Sequence, residues 1–264
     1  MVAKPAPASL IEYPVVESRP VGAYRLISFV AREIAATANP GQFLMVRQAG
    51  PSLDPLLPRP LGIHDIDSDL VRILIEPVGK GTYELSTLRV GDRLSVLGPL
   101  GNGFDLQGVG TALLVGGGIG VAPLALLARS LTASGRNVQC LLGFRTRSQA
   151  VSAELFRDYY VDVFTEDASV GTRGLVSEPL SACLSDNSGR RDEQAAEVFA
   201  CGPDPMLREV ARIAGDSGAR AQVSAAAHMA CGIGACQGCV VKTTSGYQRV
   251  CSEGPVFEAD ELIW

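Results

Sequence analysis

Four cysteines fall within the last 34 residues: Cys231, Cys236, Cys239 and Cys251, in the run MACGIGACQGCVVKTTSGYQRVC. No other feature of the chain limits its folding as tightly. The gaps run C-x4-C-x2-C, then eleven residues, then the last cysteine. That is the plant-type spacing for a [2Fe–2S] cluster. Three thiolates from one short loop must surround two irons, so the loop cannot be a regular helix or strand and its backbone must approach the sulfides closely. Glycine tolerates both demands, and Gly232, Gly234 and Gly238 sit among the ligands. The chain therefore reads as one that moves single electrons. A zinc-binding interaction protein is the alternative from another class, but zinc sites favour CxxC-like pairs or mixed Cys and His ligands. Disulfides belong to oxidising compartments, and the opening MVAKPAPASLIEYPVV has no apolar stretch of signal length. His64 and His228 do not make a Rieske pattern. His228, beside the loop, reads as a packing or hydrogen-bonding residue.

A length of 264 residues suits two compact domains and a small appendage. Hydrophobic residues make up 47 % of the chain, enough for real cores. A net charge of −5 with no basic block argues against nucleic acid. No apolar run reaches the roughly 18 residues of a membrane span. The longest candidate, ALLVGGGIGVAPLALLA, is interrupted by glycines and a proline. The expectation is a cytoplasmic protein with no membrane partner. Cys140 and Cys183 sit in apolar runs and read as core residues.

Residues 1–104 read as short strands cut by turns. Candidates are Tyr24 to Ala31, Phe43 to Arg47, Leu61 to Ile66, Val71 to Glu76 and Arg93 to Leu97, punctuated by NPGQ, LPRPLG, GKGT and GPLGNG. Many short strands with frequent turns indicate an antiparallel barrel. From about residue 110 strands and helices alternate. Strand-like runs are Thr111 to Val115, Val138 to Phe144, Val161 to Thr165, Val198 to Cys201 and Gln222 to Ala225. Helical runs follow the glycine loop to about Ala133, then cover Ser148 to Asp158, Leu175 to Leu184 and Pro205 to Ala214. That rhythm indicates a doubly wound parallel sheet over residues 105–225. SDNSGRRDEQ, residues 185–194, reads as a polar surface loop, and residues 226–264 form the cysteine-rich module.

Three segments carry further chemistry. The turn Gly116-Gly117-Gly118-Ile119-Gly120-Val121-Ala122-Pro123 follows a strand and opens a helix, where backbone amides and the helix start favour a pyrophosphate. A tight strand–helix turn also wants glycine, so the motif alone decides little. Cys201-Gly202-Pro203 ends a later strand of the same sheet, and both loops would face one crevice. In the barrel, Arg59-Pro60-Leu61-Gly62 leads into a strand, where an arginine fork can pair with phosphate. Gly79-Lys80-Gly81-Thr82-Tyr83 begins in a glycine turn and becomes helical, a second anion nest. Each alone is equally an ordinary surface arginine or turn; together they read as a flavin site.

With these segments in order, the chain resembles the electron-transfer subunit family of the two-subunit dihydroorotate dehydrogenase B, within the ferredoxin–NADP reductase superfamily. The resemblance runs from Pro40-Gly41-Gln42-Phe43 through RPLGI, GKGTYELS, GPLGNGF, GGGIGVAPL, LLGFR, ACGPDPML and MACGIGACQGCVV to VCSEGPVF. It implies an FAD-binding antiparallel barrel, an NAD(H)-binding α/β domain and a small C-terminal [2Fe–2S] module. Arg59, Pro60, Leu61, Gly62, Gly79, Gly81, Thr82 and Tyr83 inherit FAD-binding positions. Gly62 departs from the family's usual serine, which leaves a backbone amide to replace a hydroxyl. Gly116, Gly117, Gly118 and Gly120 inherit NAD(H)-binding positions. Cys201 lies near nicotinamide and flavin, either in a catalytic role or in tight packing. The implied partner is an FMN-containing dihydroorotate dehydrogenase subunit, two copies of each chain, in pyrimidine biosynthesis. The cluster loop and the tail Leu262-Ile263-Trp264 are candidate interface elements. The enzymatic alternative is an NAD(P)H reductase subunit of a hydrogenase-, sulfide- or glutamate-synthase-type complex. NADP(H) stays open, since Arg145 and Arg147 follow the second strand and suit a 2′-phosphate.

Overall fold

Period-two alternation of buried and exposed side chains builds the first half of the chain. β1 (Ile11–Val21) buries Tyr13 and Val15 and turns Glu12, Pro14 and Val16 outward. The sequence reading does not include this strand, which carries Pro14 and Pro20 and changes partners along its length. β2 (Tyr24–Val30), α1 (Arg32–Thr37), β3 (Phe43–Gln48), β4 (Arg59–Asp67), β5 (Leu70–Ile75), α2 (Lys80–Ser86) and β6 (Arg93–Leu100) follow. Residues 11–14 of β1 pair with β6, and residues 15–21 pair with β2, with an irregularity between Val15 and Glu17. The order β1-β2-β5-β4-β3-β6 closes a barrel in which every pair of neighbours is antiparallel. Ile27, Phe29, Leu44, Val46, Ile63 and Ile73 fill its interior.

The computed structural model describes residues 10–51, 54–108, 110–187 and 196–264. The second half contains β7 (Ala112–Gly117), α3 (Leu124–Ala133), β8 (Val138–Phe144), α4 (Arg147–Ala150), β9 (Tyr160–Thr165), β10 (Thr172–Arg173), α5 (Ser177–Asn187), β11 (Glu197–Cys201), α6 (Asp204–Asp216), β12 (Ala221–Ser224), β13 (Val240–Thr243), β14 (Gly246–Arg249) and β15 (Val256–Glu258). The sheet order is β10-β9-β8-β7-β11-β12-β15, parallel up to β12. β7 is buried along its whole length. Leu113 and Val115 join Leu180, Leu207 and Val210 on one face, and Leu114 joins Leu124, Leu127 and Leu131 on the other. A strand covered on both faces reads as a continuous apolar run.

Three details differ from the sequence reading. Ser148 to Asp158 is not one helix: α4 gives way to a 3-10 turn at Val151–Phe156, where the Ser152 hydroxyl donates to the Gln149 carbonyl at 2.9 Å. That local bond tightens the turn. Residues 185–187, read as the start of a polar loop, continue α5, and the rest of that segment, residues 188–194, lies outside the described residues. The sheet does not end at residues 222–225. β15, from the cysteine-rich module, adds to β12 antiparallel. The module also grips the barrel: the Asn102 side chain donates to the Glu253 carbonyl at 2.7 Å, and the Asn102 backbone N–H donates to the Gly254 carbonyl at 2.6 Å.

Candidate active-site cleft and cluster loop

Strand order brings two turns together. β7 and β11 are neighbours, while β8 and β9 lie on the far side of β7, so the winding reverses between β7 and β11. Ligands of open α/β sheets occupy the crevice at such a reversal. Gly118, at φ +55°, adopts the left-handed conformation, and a Cβ built there meets nothing within 4 Å. Its backbone faces open space. At Gly120 a Cβ would strike the Cys201 carbonyl and sit 2.6 Å from the Gly202 Cα. Only a hydrogen lets the two turns meet. Gly116 is buried against Val121, Leu142 and Leu124 and does not reach the crevice.

The crevice widens into a cleft of about 900 Å³ between sheet and barrel. Pro60, Leu61, Gly62 and Thr82 line it from the barrel, and Gly117, Gly118, Gly120 and Cys201 from the sheet. Ala225, Ala226, Ala227 and Met229 close it from the cluster side. Arg59, Gly79, Gly81 and Tyr83 stand off these walls. Arg59 nonetheless covers the start of α2: a Cβ on Gly81 would strike its Nε and lie 2.9 Å from its Nη2. Among the described residues no carboxylate pairs with Arg59. A cation held over a helix start without its own anion suits a phosphate. Thr82 closes the same turn, its hydroxyl accepting from the N–H groups of Val78 and Gly79 at 3.0 and 3.1 Å. Lys80 pairs with Asp54, and Tyr83 is 58 % exposed. At Gly62 a Cβ would lie 3.3 Å from the Pro123 Cβ. A side chain there would require the Pro123 ring to give by a few tenths of an ångström.

Burial pushes the Cys201 thiol up to about 11, against the opposing Ser224 hydrogen bond. Cys201 is therefore a neutral thiol at physiological pH and a poor nucleophile. Of the two arginines after β8, Arg145 lines the cleft, with Glu166 on the same wall. Arg147 is engaged elsewhere, its Nε donating to the Ser169 carbonyl at 3.0 Å. His64 was not singled out as functional by the sequence, yet it is buried with Nδ1 2.7 Å from the Ala122 carbonyl. A backbone partner 58 residues away leaves no sequence signal.

The cysteine loop sits on the barrel, where a Cβ on Gly232 would meet Met45 and Leu100. Cys239 and Cys251 are buried, Cys231 is half-buried and Cys236 exposed, and none is in a disulfide. The Gly234 N–H points to Cys251 Sγ at 3.1 Å and the Cys236 N–H to Cys231 Sγ at 3.4 Å. Burial raises the Cys231 thiol, but the N–H groups of Ile233 and Cys236 outweigh it and hold the thiol down to about 7. Burial and the neighbouring Cys239 raise Cys251. Among the described residues no three metal-binding side chains converge as the shell of one ion. Four cysteines in plant-type spacing, two of them accepting backbone N–H groups, fit a two-iron cluster better than a single zinc ion.

The profile of the iron–sulfur cluster binding domain of dihydroorotate dehydrogenase B matches residues 226–263. The chain is 38 % identical over 226 residues to the dihydroorotate dehydrogenase B (NAD(+)) electron transfer subunit of Clostridium acetobutylicum, covering 85 % of this chain and 86 % of that protein. Against the subunit of the same name from Bacillus caldolyticus it is 39 % identical over 246 residues, covering 90 % and 91 %. Among solved structures it is similar to the NADH-dependent reduced ferredoxin–NADP oxidoreductase studied for flavin-based electron bifurcation. The TM-score is 0.83 at 28 % identity, over 96 % of this chain and 90 % of that one. With a nucleotide crevice, a flavin-type barrel and a four-cysteine loop in one molecule, and with relatives matched over most of its length, the chain belongs to the family of dihydroorotate dehydrogenase B electron transfer subunits.

Proposed function

We propose that this chain is the electron-transfer half of a two-subunit, NAD-linked dihydroorotate dehydrogenase in pyrimidine biosynthesis. It receives, at the cluster loop, electrons that an FMN-containing catalytic subunit removes from dihydroorotate, and it delivers them to NAD⁺ in the cleft. The proposal extends to two copies of each chain and to the cytoplasm, a reducing setting that suits seven free thiols. The observation that carries the reading is one strand. Phe43 of β3 lines the cleft, and Met45, two residues on and on the same face, packs where Gly232 brings the cluster loop in. The two-electron site and the one-electron site share a wall.

When bound, NAD(H) exchanges a hydride, FAD accepts electrons singly or in pairs, and the [2Fe–2S] cluster exchanges one at a time. The chain's own residues hold these groups. Cys231, Cys236, Cys239 and Cys251 would ligate the cluster, with the N–H groups of Gly234 and Cys236 stabilising negative sulfur. Arg59 and the first-turn amides of Lys80, Gly81 and Thr82 would hold the FAD diphosphate, while the Thr82 hydroxyl and the Tyr83 N–H close that turn onto Gly79. Pro60, Leu61 and Gly62 offer the flavin a backbone edge. Gly118 leaves room for NAD(H), Gly117 and Gly120 let the turn pack against Met206 and Cys201, and Gly116 supports them from the core. Cys201 walls the reversal point as a neutral thiol. In this division of labour residues 1–104 bind FAD, 105–225 bind NAD(H) and 226–264 bind the cluster.

The test is purification of the native complex with cofactor analysis. One FAD, one [2Fe–2S] cluster per chain and a co-purifying FMN subunit are expected. A colourless chain, or a partner lacking dihydroorotate activity, overturns the proposal.

A further inference from the structure

We infer that His64 is a positioning residue that fixes how closely the nicotinamide turn approaches the flavin strand, through its hydrogen bond to the Ala122 carbonyl. The inference rests on the functional reading above, which puts nucleotide at Gly117–Gly120 and flavin beside Leu61 and Gly62. His64 lies on β4 two residues past Gly62, and Ala122 lies two residues past Gly120. A carbonyl only accepts, so Nδ1, 2.7 Å away, carries the proton and the neutral ring keeps Nε2 as an acceptor. The residue is 3 % exposed. Burial disfavours the imidazolium, against the opposing Ala122 hydrogen bond. The bond therefore stays neutral-to-neutral near physiological pH.

Three residues of the flavin strand touch the nucleotide unit in succession. Gly62 faces Pro123, with 3.3 Å to a built Cβ; His64 bonds Ala122; and Asp65 pairs with Arg129 of α3 at 2.9 Å. They do different work. Gly62 leaves the space before Pro123 free of a side chain, which permits close approach without pulling. Arg129 is 43 % exposed, so its ion pair is screened and weak. Only the His64 bond is both buried and directional. It draws the turn in across the room that Gly62 leaves, and so sets the separation. Behind the ring lies a second cavity of about 350 Å³ lined by His64, Glu17, Arg72 and Tyr159. That polar space leaves Nε2 free of any demand for a buried partner, so Nδ1 alone ties the ring to the turn. Hydride transfer is sensitive to such a separation, since a misplacement of about 1 Å is able to cost about a hundredfold in rate.

The test depends on where the donor sits. In His64→Asn the amide nitrogen occupies the place of Nδ1. His64→Leu has the same branching and no donor. His64→Gln carries its donor where Nε2 was. On the full chain loaded with FAD and cluster, three quantities are measured: the stopped-flow rate of flavin reduction by NADH, the NADH dissociation constant, and the long-wavelength charge-transfer absorbance of the reduced flavin–NAD⁺ pair. H64N should stay near wild type in all three. H64L and H64Q should lose the absorbance and about tenfold or more in rate, with FAD content and NADH affinity near wild type. Equal rates in H64L and H64N overturn the inference, as does a loss in H64L that lies wholly in FAD content or NADH affinity. If H64L fails to fold, H64Q against H64N decides by the same criteria. A wild-type chain whose flavin NADH does not reduce is a separate result, and it removes the functional reading together with the inference.

Discussion

Cys231, Cys236, Cys239 and Cys251 differ in burial, and only Cys231 and Cys251 accept a backbone N–H, yet their spacing makes all four the most testable residues of the chain. Replacing any one with serine should remove most cluster iron, while Cys140→Ser and Cys183→Ser should leave it intact, as read by iron and acid-labile sulfide analysis after anaerobic purification. Iron-free wild type would end the cluster assignment. Arg59 has no carboxylate partner among the described residues, so its charge is available to a phosphate. Arg59→Ala should weaken FAD binding by roughly tenfold to a hundredfold, the worth of a charge-assisted bond of about 1.5–3 kcal/mol, measured by flavin fluorescence titration. Gly118 borders open space in the cleft, so a side chain there would fill the nucleotide's room and be strained as well. Gly118→Val should cut NADH oxidation with dye acceptors and spare FAD and iron contents; unchanged kinetics would count against the turn. A tenfold preference of wild type for NADPH would keep the turn and move the assignment toward Arg145. These residues were legible because their ligand logic is local: spacing, glycine and charge within a few positions. His64 and the Gly62–Pro123 contact were not, because each depends on a segment about sixty residues away.

At the scale of elements, the buried ends of the parallel sheet hold a concentrated polar cluster. Arg136, just before β8, pairs with Glu197 at the head of β11 at 2.8 Å, with only 6 % and 5 % of their side chains exposed. Arg220, before β12, reaches Glu197 at 3.0 Å and also pairs with Glu258 of β15, and Gln222 donates to Glu197 at 3.0 Å. The cluster lies opposite the cleft, at the amino ends of the strands, so its role is structural. Removing one partner of a buried pair leaves the other charge uncompensated, at a cost of about 3–5 kcal/mol. Glu197→Gln should therefore lower the urea midpoint markedly while FAD and iron contents at low temperature stay near wild type. A midpoint within error of wild type would show that Arg220 and Gln222 re-satisfy the site. β15 shows the limit of reading elements from sequence. Three residues after Gly-Pro are too short a run to mark a strand, though Val256 and Phe257 suit one, and the free edge of β12 makes them one.

For the whole molecule, the three units are not beads on a string. Met45 and Leu100 of the barrel, Leu113 and Val198 of the sheet, and Cys251 and Phe257 of the cluster module belong to one continuous core. The arrangement gives the chain a nucleotide cleft and a one-electron outlet. On the proposed function the three units bind FAD, NAD(H) and the cluster, and dihydroorotate chemistry belongs to the partner subunit. The isolated chain should reduce dyes with NADH yet oxidise no dihydroorotate. Adding an FMN-containing catalytic subunit from the same source should create NAD⁺-dependent orotate formation. Loss of the cluster should stop that coupled reaction and spare direct dye reduction. Orotate made by the lone chain would refute the division of labour, and failure of any such subunit to bind would favour a different partner complex.

The sequence by itself determined which groups this protein handles and in what order they occur. Cysteine spacing, the glycine turn and the change from short strands to alternating strand and helix are short-range patterns, and short-range patterns survive in one dimension. The tertiary structure alone decided how the sites meet. It placed Gly120 against Cys201, Gly62 against Pro123, His64 against Ala122 and Gly232 against Met45, and it drew β15 into the sheet. Those contacts depend on the closure of the barrel and on the reversal of strand order between β7 and β11. Both are long-range pairings, and no single segment encodes its distant partner.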